Sequence, residues 1–185
     1  MSSYILDDEE LAFIPNEFKK MVEKEIEMAE LKDSGERKVF ESGAARDISE
    51  GKGRCDLLPL DTIASLFSIP SDKEILKLID SFLKTGDTNY LRNAILEFND
   101  QRKCNFITMI LELSIHYEDG ANKYEPNNWK QGMPVHCFID SGIRHYLKWL
   151  RGDQDEPHDR AFVWNMVGAI WTMENKPELN DISGY

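Results

Sequence analysis

Imidazole and carboxylate side chains that could do acid–base or metal chemistry are concentrated in one stretch of the chain's second half. Glu112 lies one helical turn before His116, so both side chains could face one metal ion or one water molecule. A second group follows as Asp155, Glu156 and His158 at the expected start of another helix. The alternative is structural: a Glu–His pair on a helix surface, and acids favoured by the dipole at a helix start.

The segment between these two groups supplies cations, amides and aromatic rings. Residues 120–134 contain Lys123, Tyr124, Asn128 and Trp129. A cation, an amide and a flat ring can contact a phosphate, the edge of a base and its face. The composition of this connection therefore favours a nucleotide as the ligand.

The helix expected over residues 135–151 adds two pairs of polar residues one turn apart. Asp140 precedes Arg144 by four positions, and Ser141 precedes His145 by four. An intrahelical salt bridge and a capping hydroxyl would use the same residues. The spacing is therefore compatible with either a functional site or a purely structural role.

A glycine-rich basic loop precedes the helices. Residues 33–56 show no helical or strand period and include Arg46 and Gly51-Lys52-Gly53-Arg54. Glycines let backbone amides approach an anion, so Lys52 and Arg54 beside them suit phosphate contact. The run is not a Walker A motif, because the leading glycine and the final Ser or Thr are missing. A flexible surface loop is the alternative.

Apolar residues recur at helical spacing along most of the chain. Ile75, Leu78, Ile79 and Phe82 form one such face, and no alternating run exceeds four residues. The expected fold class is therefore all-α. Helices are expected at about 15–32, from Pro59 onward, at 71–84, 88–100, 105–119 with Gly120 as the stop, 135–151, and after Pro157.

Composition and charge exclude several classes of protein. The 185 residues are 41% hydrophobic, enough for one folded domain, and the net charge of −12 argues against nonspecific binding to duplex nucleic acid. No apolar run or leader pattern indicates a membrane span or a secretion signal. Three widely separated cysteines indicate neither a disulfide framework nor a zinc ribbon. We therefore expect a cytoplasmic protein, in the bacterial host if a phage encodes it.

Several motifs, in order and spacing, resemble those of the phage and prophage dATP/dGTP diphosphohydrolase-like family, which is grouped with the MazG-like all-α nucleotide pyrophosphohydrolases. The downstream motifs are His116-Tyr-Glu-Asp-Gly-Ala-Asn-Lys-Tyr124, Asn128-Trp-Lys-Gln-Gly-Met-Pro134, Asp140-Ser-Gly-Ile-Arg-His145, Asp155-Glu-Pro-His158 and Trp164-Asn165. The upstream motifs are Phe40-Glu-Ser-Gly-Ala-Ala-Arg-Asp47 and Gly51-Lys-Gly-Arg-Cys-Asp-Leu-Leu-Pro59. The resemblance covers about residues 39–176.

The resemblance implies a MazG-like helical bundle with a helical insertion at about 68–104 and a long N-terminal loop. It divides the chain into an arm at 1–38, a nucleotide-binding helical domain at 39–176 and a tail at 177–185. Homo-oligomers, dimers or larger, are also expected, because helix-only sites of this kind often complete themselves across a subunit interface.

The resemblance also implies roles for individual residues. The implied catalytic residues are His116, His158 and Glu118. The implied magnesium ligands, with manganese as the second choice, are Glu112, Glu118, Asp155, Glu156 and Asp159. The implied substrate contacts are Lys52, Arg54, Lys123, Tyr124, Asn128, Trp129, Arg144, His145, Trp164 and Asn165. Glu156-x-x-Asp159 fits the family's second metal motif, whereas its first, E-x-x-E, is absent from the helix at 105–119.

The leading hypothesis is magnesium-dependent hydrolysis of a (deoxy)purine nucleoside triphosphate to the monophosphate and pyrophosphate. The missing E-x-x-E pair motivates an alternative, a protein that binds nucleotides or cyclic-nucleotide signals in the same pocket without cutting them. A third hypothesis is a helical interaction module whose polar residues only cap and pair. It leaves the Lys/Trp/Asn connection between two acidic helix ends unexplained.

Overall fold

A computed structural model describes residues 35–182 as a helical bundle that carries one small β-hairpin. Its helices are α1 (Leu60–Ser65), α2 (Pro70–Thr85), α3 (Asn89–Gln101), α4 (Phe106–Lys123), α5 (Val135–Arg151) and α6 (His158–Asn175). Short 3-10 turns lie at Cys55–Leu57, Asn128–Gln131 and Pro177–Leu179. The predicted all-α class is confirmed. Among these residues, no helix combines the length and the apolar character needed to cross a membrane.

Local sequence signals explain where the long helices begin and end. Pro70 occupies the first turn of α2, where its missing N–H costs no hydrogen bond. Gly86 ends α2 and Gly152 ends α5, both in the left-handed conformation that glycine adopts without strain. The helix predicted at about 15–32 lies outside the described residues.

The core lies where α3, α5 and α6 meet. Phe98 of α3 packs edge-on against Phe162 of α6 at a centroid distance of 4.7 Å and against Tyr146 of α5 at 5.9 Å. All three side chains are fully buried. Aromatic side chains of this size dominate the energy of a core, so this contact fixes the three helices relative to one another.

Two glycines allow α5 and α6 to pack closely. A Cβ added at Gly168 of α6 would lie 2.4 Å from the Cε1 atom of Phe138, which is fully buried. A Cβ at Gly142 of α5 would instead lie 2.2 Å from the terminal methyl of Met166. A methionine tip can rotate away, whereas a buried phenylalanine ring cannot. The two positions therefore differ in how much they tolerate a side chain.

We expect Gly168→Ala to lower the free energy of unfolding by about 2 kcal/mol, since the strain of overpacking exceeds the helix propensity gained. Gly142→Ala makes the same chemical change in the same crossing and should be at least about 1 kcal/mol less destabilising. Urea unfolding of both variants measures this difference. Equal losses for the two would show that Phe138 does not limit the approach of the helices.

The predicted long loop contains a hairpin, so the expectation of no strand there is wrong. Strand β1 (Arg37–Val39) pairs antiparallel with β2 (Ala45–Asp47). Gly43, at φ +89°, lies in the turn between them. Strands of three residues are too short to show an alternating pattern, so the sequence alone gives little sign of them.

Helix α4 runs past its predicted end. Gly120 is an internal helical residue, and its carbonyl accepts a hydrogen bond from the backbone N–H of Tyr124 at 2.9 Å. A glycine ends a helix only where the chain turns left-handed, and Gly120 has no positive φ. The helix stops at Lys123, shortly before Pro126, whose ring opposes continuation. The extra turn brings Lys123 and Tyr124 to the hairpin.

Candidate functional site

One cavity of about 750 Å³ opens between the hairpin, the second half of α4, α5 and the start of α6. Ligand pockets are typically about 300–1,000 Å³, so a nucleotide fits within it. Most residues predicted to contact substrate or metal line this cavity: Lys52, Arg54, His116, Glu118, Lys123, Tyr124, Asn128, Trp129, Arg144, His145, Asp155, Glu156, Trp164 and Asn165.

Asp47 of β2 ties the hairpin to the end of α4. Its carboxylate accepts hydrogen bonds from Lys123 Nζ at 2.8 Å and the Tyr124 hydroxyl at 2.9 Å, and Arg37 lies 3.4 Å away. Burial acts to raise the pKa of Asp47, but these bonds outweigh it and the pKa is lowered. Burial and the bond to Asp47 raise the pKa of Tyr124. Lys123 and Tyr124 thus meet a carboxylate at the cavity wall.

Asn128 holds the other side of β2. Its side-chain oxygen accepts from the backbone N–H of Ala45 at 2.8 Å, and its amide nitrogen donates to the Ala45 carbonyl at 2.9 Å. The amide therefore pairs with the strand as a neighbouring strand would. Both polar atoms of its side chain therefore hold β2 in position. Neither is left free to hydrogen-bond to the edge of a base, as the sequence had predicted.

Arg46 lines the cavity from β2, and among the described residues its guanidinium donates hydrogen bonds to uncharged groups. Nη1 donates to the Cys137 carbonyl at 2.6 Å and Nη2 donates to Asn165 Oδ1 at 3.3 Å. Within residues 35–182 it forms no ion pair. Burial lowers the pKa of Arg46, and the negative charge of Asp140 offsets only part of this effect, because the two side chains do not form an ion pair. Such a cation is a ready anchor for an anionic ligand.

Asn165 is buried and mainly supports Arg46. Its amide nitrogen donates to the Ala161 carbonyl one turn earlier at 2.7 Å, which turns its oxygen toward the guanidinium. Asn165 would therefore act on a substrate through Arg46, rather than by the direct contact that was predicted.

Asp140 and Arg144 fix the basic loop on α5. The two side chains pair within the helix, and Arg144 also donates to the carbonyls of Lys52 at 3.2 Å and Gly53 at 2.9 Å. Asp140 accepts from the backbone N–H of Cys55 at 2.6 Å. The intrahelical salt bridge considered as an alternative is present, and it also holds the loop at the cavity.

Lys52 and Arg54 differ in how much charge they offer. Arg54 binds Asp56 through two hydrogen bonds of 2.7 and 2.5 Å. Lys52 is exposed and forms no ion pair with the part of the chain described here. Of the two predicted phosphate contacts in the loop, Lys52 therefore has the less neutralised charge.

His116 is 5% exposed and lies between α4 and α6 at the cavity wall. Its Nδ1 atom has no hydrogen-bond partner among the described residues, and its ring lies 5.7 Å from that of Trp164. Burial, and then the charge of Arg160, lowers the pKa of His116 to about 4. The imidazole is therefore neutral at pH 7 and can exchange one hydrogen bond with a ligand or water.

The predicted stacking rings belong to one aromatic row. Tyr117 of α4 lies 5.4 Å from Trp129 and 6.2 Å from Trp164, and Trp129 also contacts Trp171 at 5.1 Å. These contacts are edge-on or tilted. They fix the tryptophans, both of which still border the cavity.

His145 of α5 and His158 of α6 face each other. His145 Nδ1 and His158 Nδ1 are 2.9 Å apart, and His158 Nε2 is 2.7 Å from Asp155 Oδ1. Burial and the neighbouring His158 hold the pKa of His145 well below its usual value. His158 itself lies behind the wall, with 1% of its side chain exposed. It is placed to orient other groups rather than to meet a substrate.

The five carboxylates predicted to bind magnesium do not converge. Glu112 and Asp159 lie outside the cavity, where both pair with Arg102 at 2.8 and 2.6 Å. Glu118 projects from α4, while Glu156 adjoins two imidazoles instead of other acids. Magnesium keeps several waters and is usually held by one or two carboxylates together with substrate phosphates, so the five residues do not act as one ligand set, and only Glu118, Asp155 and Glu156 remain at the cavity. The pairing of Arg102 with Glu112 and Asp159 could not be predicted from helical spacing.

Three site residues were missing from the predicted contacts. Arg46 and Asp47 are adjacent in the upstream motif, where Arg46 counted only as part of a basic loop. Lys148 lies one turn after His145 on the same face of α5 and is 3.3 Å from Asp155. The helical spacing from His145 was the signal that could have found it.

Comparison with family models matches residues 85–182 to the model described as dATP/dGTP diphosphohydrolase, N-terminal. Comparison with curated proteins gives no match, and neither does comparison with solved structures. The matched segment starts inside the predicted insertion and includes α3, while the hairpin and basic loop lie outside it. Since the match spans just over half of the 185 residues, the chain belongs to the dATP/dGTP diphosphohydrolase, N-terminal family.

Proposed function

We propose that the protein hydrolyses a (deoxy)purine nucleoside triphosphate to the monophosphate and pyrophosphate within this cavity. The observation that carries the proposal is Arg46, a partly buried cation whose hydrogen bonds within the described residues all go to neutral groups, in a cavity of nucleotide size. Membership of a family named for dATP/dGTP diphosphohydrolases supports the substrate class.

The phosphate side of the proposed site is the wall formed by β2 and the loop after it. Arg46 supplies a guanidinium fork that matches the geometry of phosphate oxygens, and Lys52 adds a mobile charge nearby. Arg144 holds the backbone of the loop in place. These cations offset the charge that develops on the phosphates when the α–β anhydride bond breaks.

His116 and Glu118 of α4, which also line the cavity, are the groups proposed to handle the attacking water. The neutral His116 borders the cavity and is proposed to orient water through a ring nitrogen, since its Nδ1 has no hydrogen-bond partner among the described residues. The Glu118 carboxylate, exposed on the same helix, can accept a proton as water attacks the α-phosphorus. Because the five predicted oxygen ligands do not come together at one point, none of these steps is assigned to magnesium.

An assay that resolves the products tests the proposal. Each dNTP and rNTP is incubated with the protein in ¹⁸O-labelled water, with Mg²⁺ or Mn²⁺ added. Attack at the α-phosphorus places the label in the nucleoside monophosphate, and the other product is unlabelled pyrophosphate. Release of orthophosphate, or label in pyrophosphate, contradicts the proposal. Glu118→Gln is expected to bind the nucleotide while losing most of the turnover.

A second proposed function is nucleotide binding without hydrolysis. The removal of Glu112 and Asp159 from the cavity favours it, because their pairing with Arg102 leaves the site short of carboxylates. Calorimetry with dATP, dGTP and cyclic nucleotides, with and without chelator, separates the two functions. Tight binding that is independent of metal and yields no product supports the binding protein, whereas turnover excludes it.

We also propose that the chain forms homo-oligomers. The supporting observation is an apolar stripe on the outer face of α4, where Ile107 and Leu111 are 65% and 63% exposed and Ile110 and Ile115 are each 44% exposed. Contiguous exposed apolar side chains of this kind mark protein interfaces. Light scattering measures the mass in solution, and a monomer at all concentrations would contradict the proposal.

A further inference from the structure

Side chains of α5 and of the start of α6 bring two imidazoles and one carboxylate to a common point. His145 Nδ1 and His158 Nδ1 are 2.9 Å apart. Glu156 Oε1 lies 3.7 Å from the first and 3.6 Å from the second. The three atoms form a small triangle, contributed by two different elements.

This triangle has the dimensions of a metal site. Two ligand atoms that each lie about 2.1 Å from a tetrahedral ion are about 3.4 Å apart. The three separations, 2.9, 3.6 and 3.7 Å, bracket that value. A small shift of the two rings would place all three atoms at bonding distance from one ion.

The residue that contacts the other ring nitrogen of His158 supports the same interpretation. His158 Nε2 lies 2.7 Å from Asp155 Oδ1. A carboxylate can only accept, so Nε2 carries the proton and Nδ1 presents a lone pair to the triangle. Histidines that bind metals commonly donate their other N–H to a carboxylate, which fixes the ring and its tautomer. Asp155 fills that place for His158.

The site opens toward the cavity on its remaining side. His145 and Glu156 both line the cavity, whereas His158 is closed off behind them. Three protein ligands with an open position are characteristic of catalytic rather than structural metal sites. Lys148 lies 3.9 Å from Glu156 and 3.3 Å from Asp155, so it neutralises these acids when no ion is bound.

We propose that His145, His158 and Glu156 bind one divalent transition-metal ion, Zn²⁺ or Mn²⁺, in preference to Mg²⁺. Imidazole nitrogen suits zinc and other transition metals, whereas Mg²⁺ selects oxygen ligands almost exclusively. The open position faces the proposed nucleotide site, where it would meet phosphate oxygen or water. This assignment of a role rests on the proposed function, but the binding of the ion does not.

Calorimetric titration of chelator-stripped protein with ZnCl₂, MnCl₂ or MgCl₂ alone tests the site. We expect one Zn²⁺ per chain, weaker binding of Mn²⁺, and Mg²⁺ weaker again by at least about 100-fold. Bound Co²⁺ should give the visible absorption of a nitrogen-ligated ion of low coordination number, and Zn²⁺ should abolish it. His145→Asn and Glu156→Gln should each weaken Zn²⁺ binding by about 100-fold or more. Asp155→Asn should weaken it by about 10–100-fold.

Glu112→Gln and Glu118→Gln are matched controls, since each removes a predicted carboxylate ligand outside the triangle. Both should bind Zn²⁺ as the unmodified protein does. Loss of binding in these variants, or unchanged binding in folded His145→Asn and Glu156→Gln, overturns the proposal. So does a folded protein that binds none of the metals, which would make the His145–His158 contact a hydrogen bond only. Metal binding without nucleotide turnover leaves this site standing and contradicts the proposed hydrolase instead.

Discussion

Arg46→Met is expected to bind dATP or dGTP about 100-fold more weakly than the unmodified protein, a loss of about 2.7 kcal/mol. The guanidinium is partly buried at the cavity, and its hydrogen bonds within the described residues all go to neutral acceptors. A phosphate would supply the missing counter-charge through short, charge-assisted hydrogen bonds. Calorimetry with a nonhydrolysable α,β-methylene analogue measures the affinity without interference from turnover.

The same substitution should change the free energy of unfolding by less than about 1 kcal/mol. Two hydrogen bonds are lost, at about 1 kcal/mol each, but the protein no longer has to withdraw part of a cation from water without an ion pair. A structural role for Arg46 would instead lower affinity and stability together. Lys84→Met, which removes an exposed cation of α2 far from the cavity, controls for net charge. If Arg46→Met fails to fold, Arg46→Lys tests the fork alone, because it retains the charge.

His116 is expected to destabilise the protein in acid by about 3 kcal/mol. Its pKa is lowered from 6.5 to about 4, chiefly by burial and then by the charge of Arg160. Between these two values the unfolded chain binds a proton that the folded protein does not take up. Stability is therefore complete above pH 6.5, falls as the pH decreases toward 4, and then levels off. Each pKa unit corresponds to about 1.4 kcal/mol.

Urea unfolding at several pH values between 4 and 8 measures this effect. His116→Phe, which keeps an aromatic ring against Trp164, should lack the His116 component and show a shallower loss in acid. An equally steep loss in that variant would assign the acid sensitivity to other groups. The NMR titration of the imidazole gives its pKa directly.

His136 provides a comparison of opposite sign. Hydrogen bonds with Cys137 and then with Asp181 raise its pKa to about 9. Its contribution is fully present below pH 6.5 and is lost as the pH rises through 9. The group is partly exposed, so solvent screening keeps the effect small. His136→Gln should therefore remove the decline in stability between pH 6.5 and 9 and leave the slope of the profile below pH 6.5 unchanged, which urea unfolding over this range measures.

The helices could be predicted from the sequence because their signals are local. The apolar spacing of Ile75, Ile79 and Phe82 predicted α2, and all three side chains are fully buried. The failures occurred where local rules compete: Gly120 resembled a stop but stayed helical, and three-residue strands carried too little periodicity to show. A residue's neighbours within one turn decide whether a helix forms, and those neighbours are visible in sequence.

The roles of charged residues were harder to predict, because each depends on a partner distant in the chain. Glu112 and His116 lie one turn apart as predicted. Glu112 and Asp159, however, form ion pairs with Arg102 outside the cavity. Asn128, predicted to meet a base, instead completes the edge of β2. The partner of a long polar side chain is set by the residues that surround it in the folded protein. Helical spacing does not specify those residues.

The sequence by itself determined that this protein is helical and that it belongs to a family named for dATP/dGTP diphosphohydrolases. Only the tertiary structure decided that Arg46 is a partly buried cation with no ion pair among the described residues, and that His145 meets His158 beside Glu156. Helix formation follows from contacts within a turn or two. The electrostatics of the site arise where β2, α5 and α6 pack together, and only packing sets which charges are neutralised and which still require a ligand.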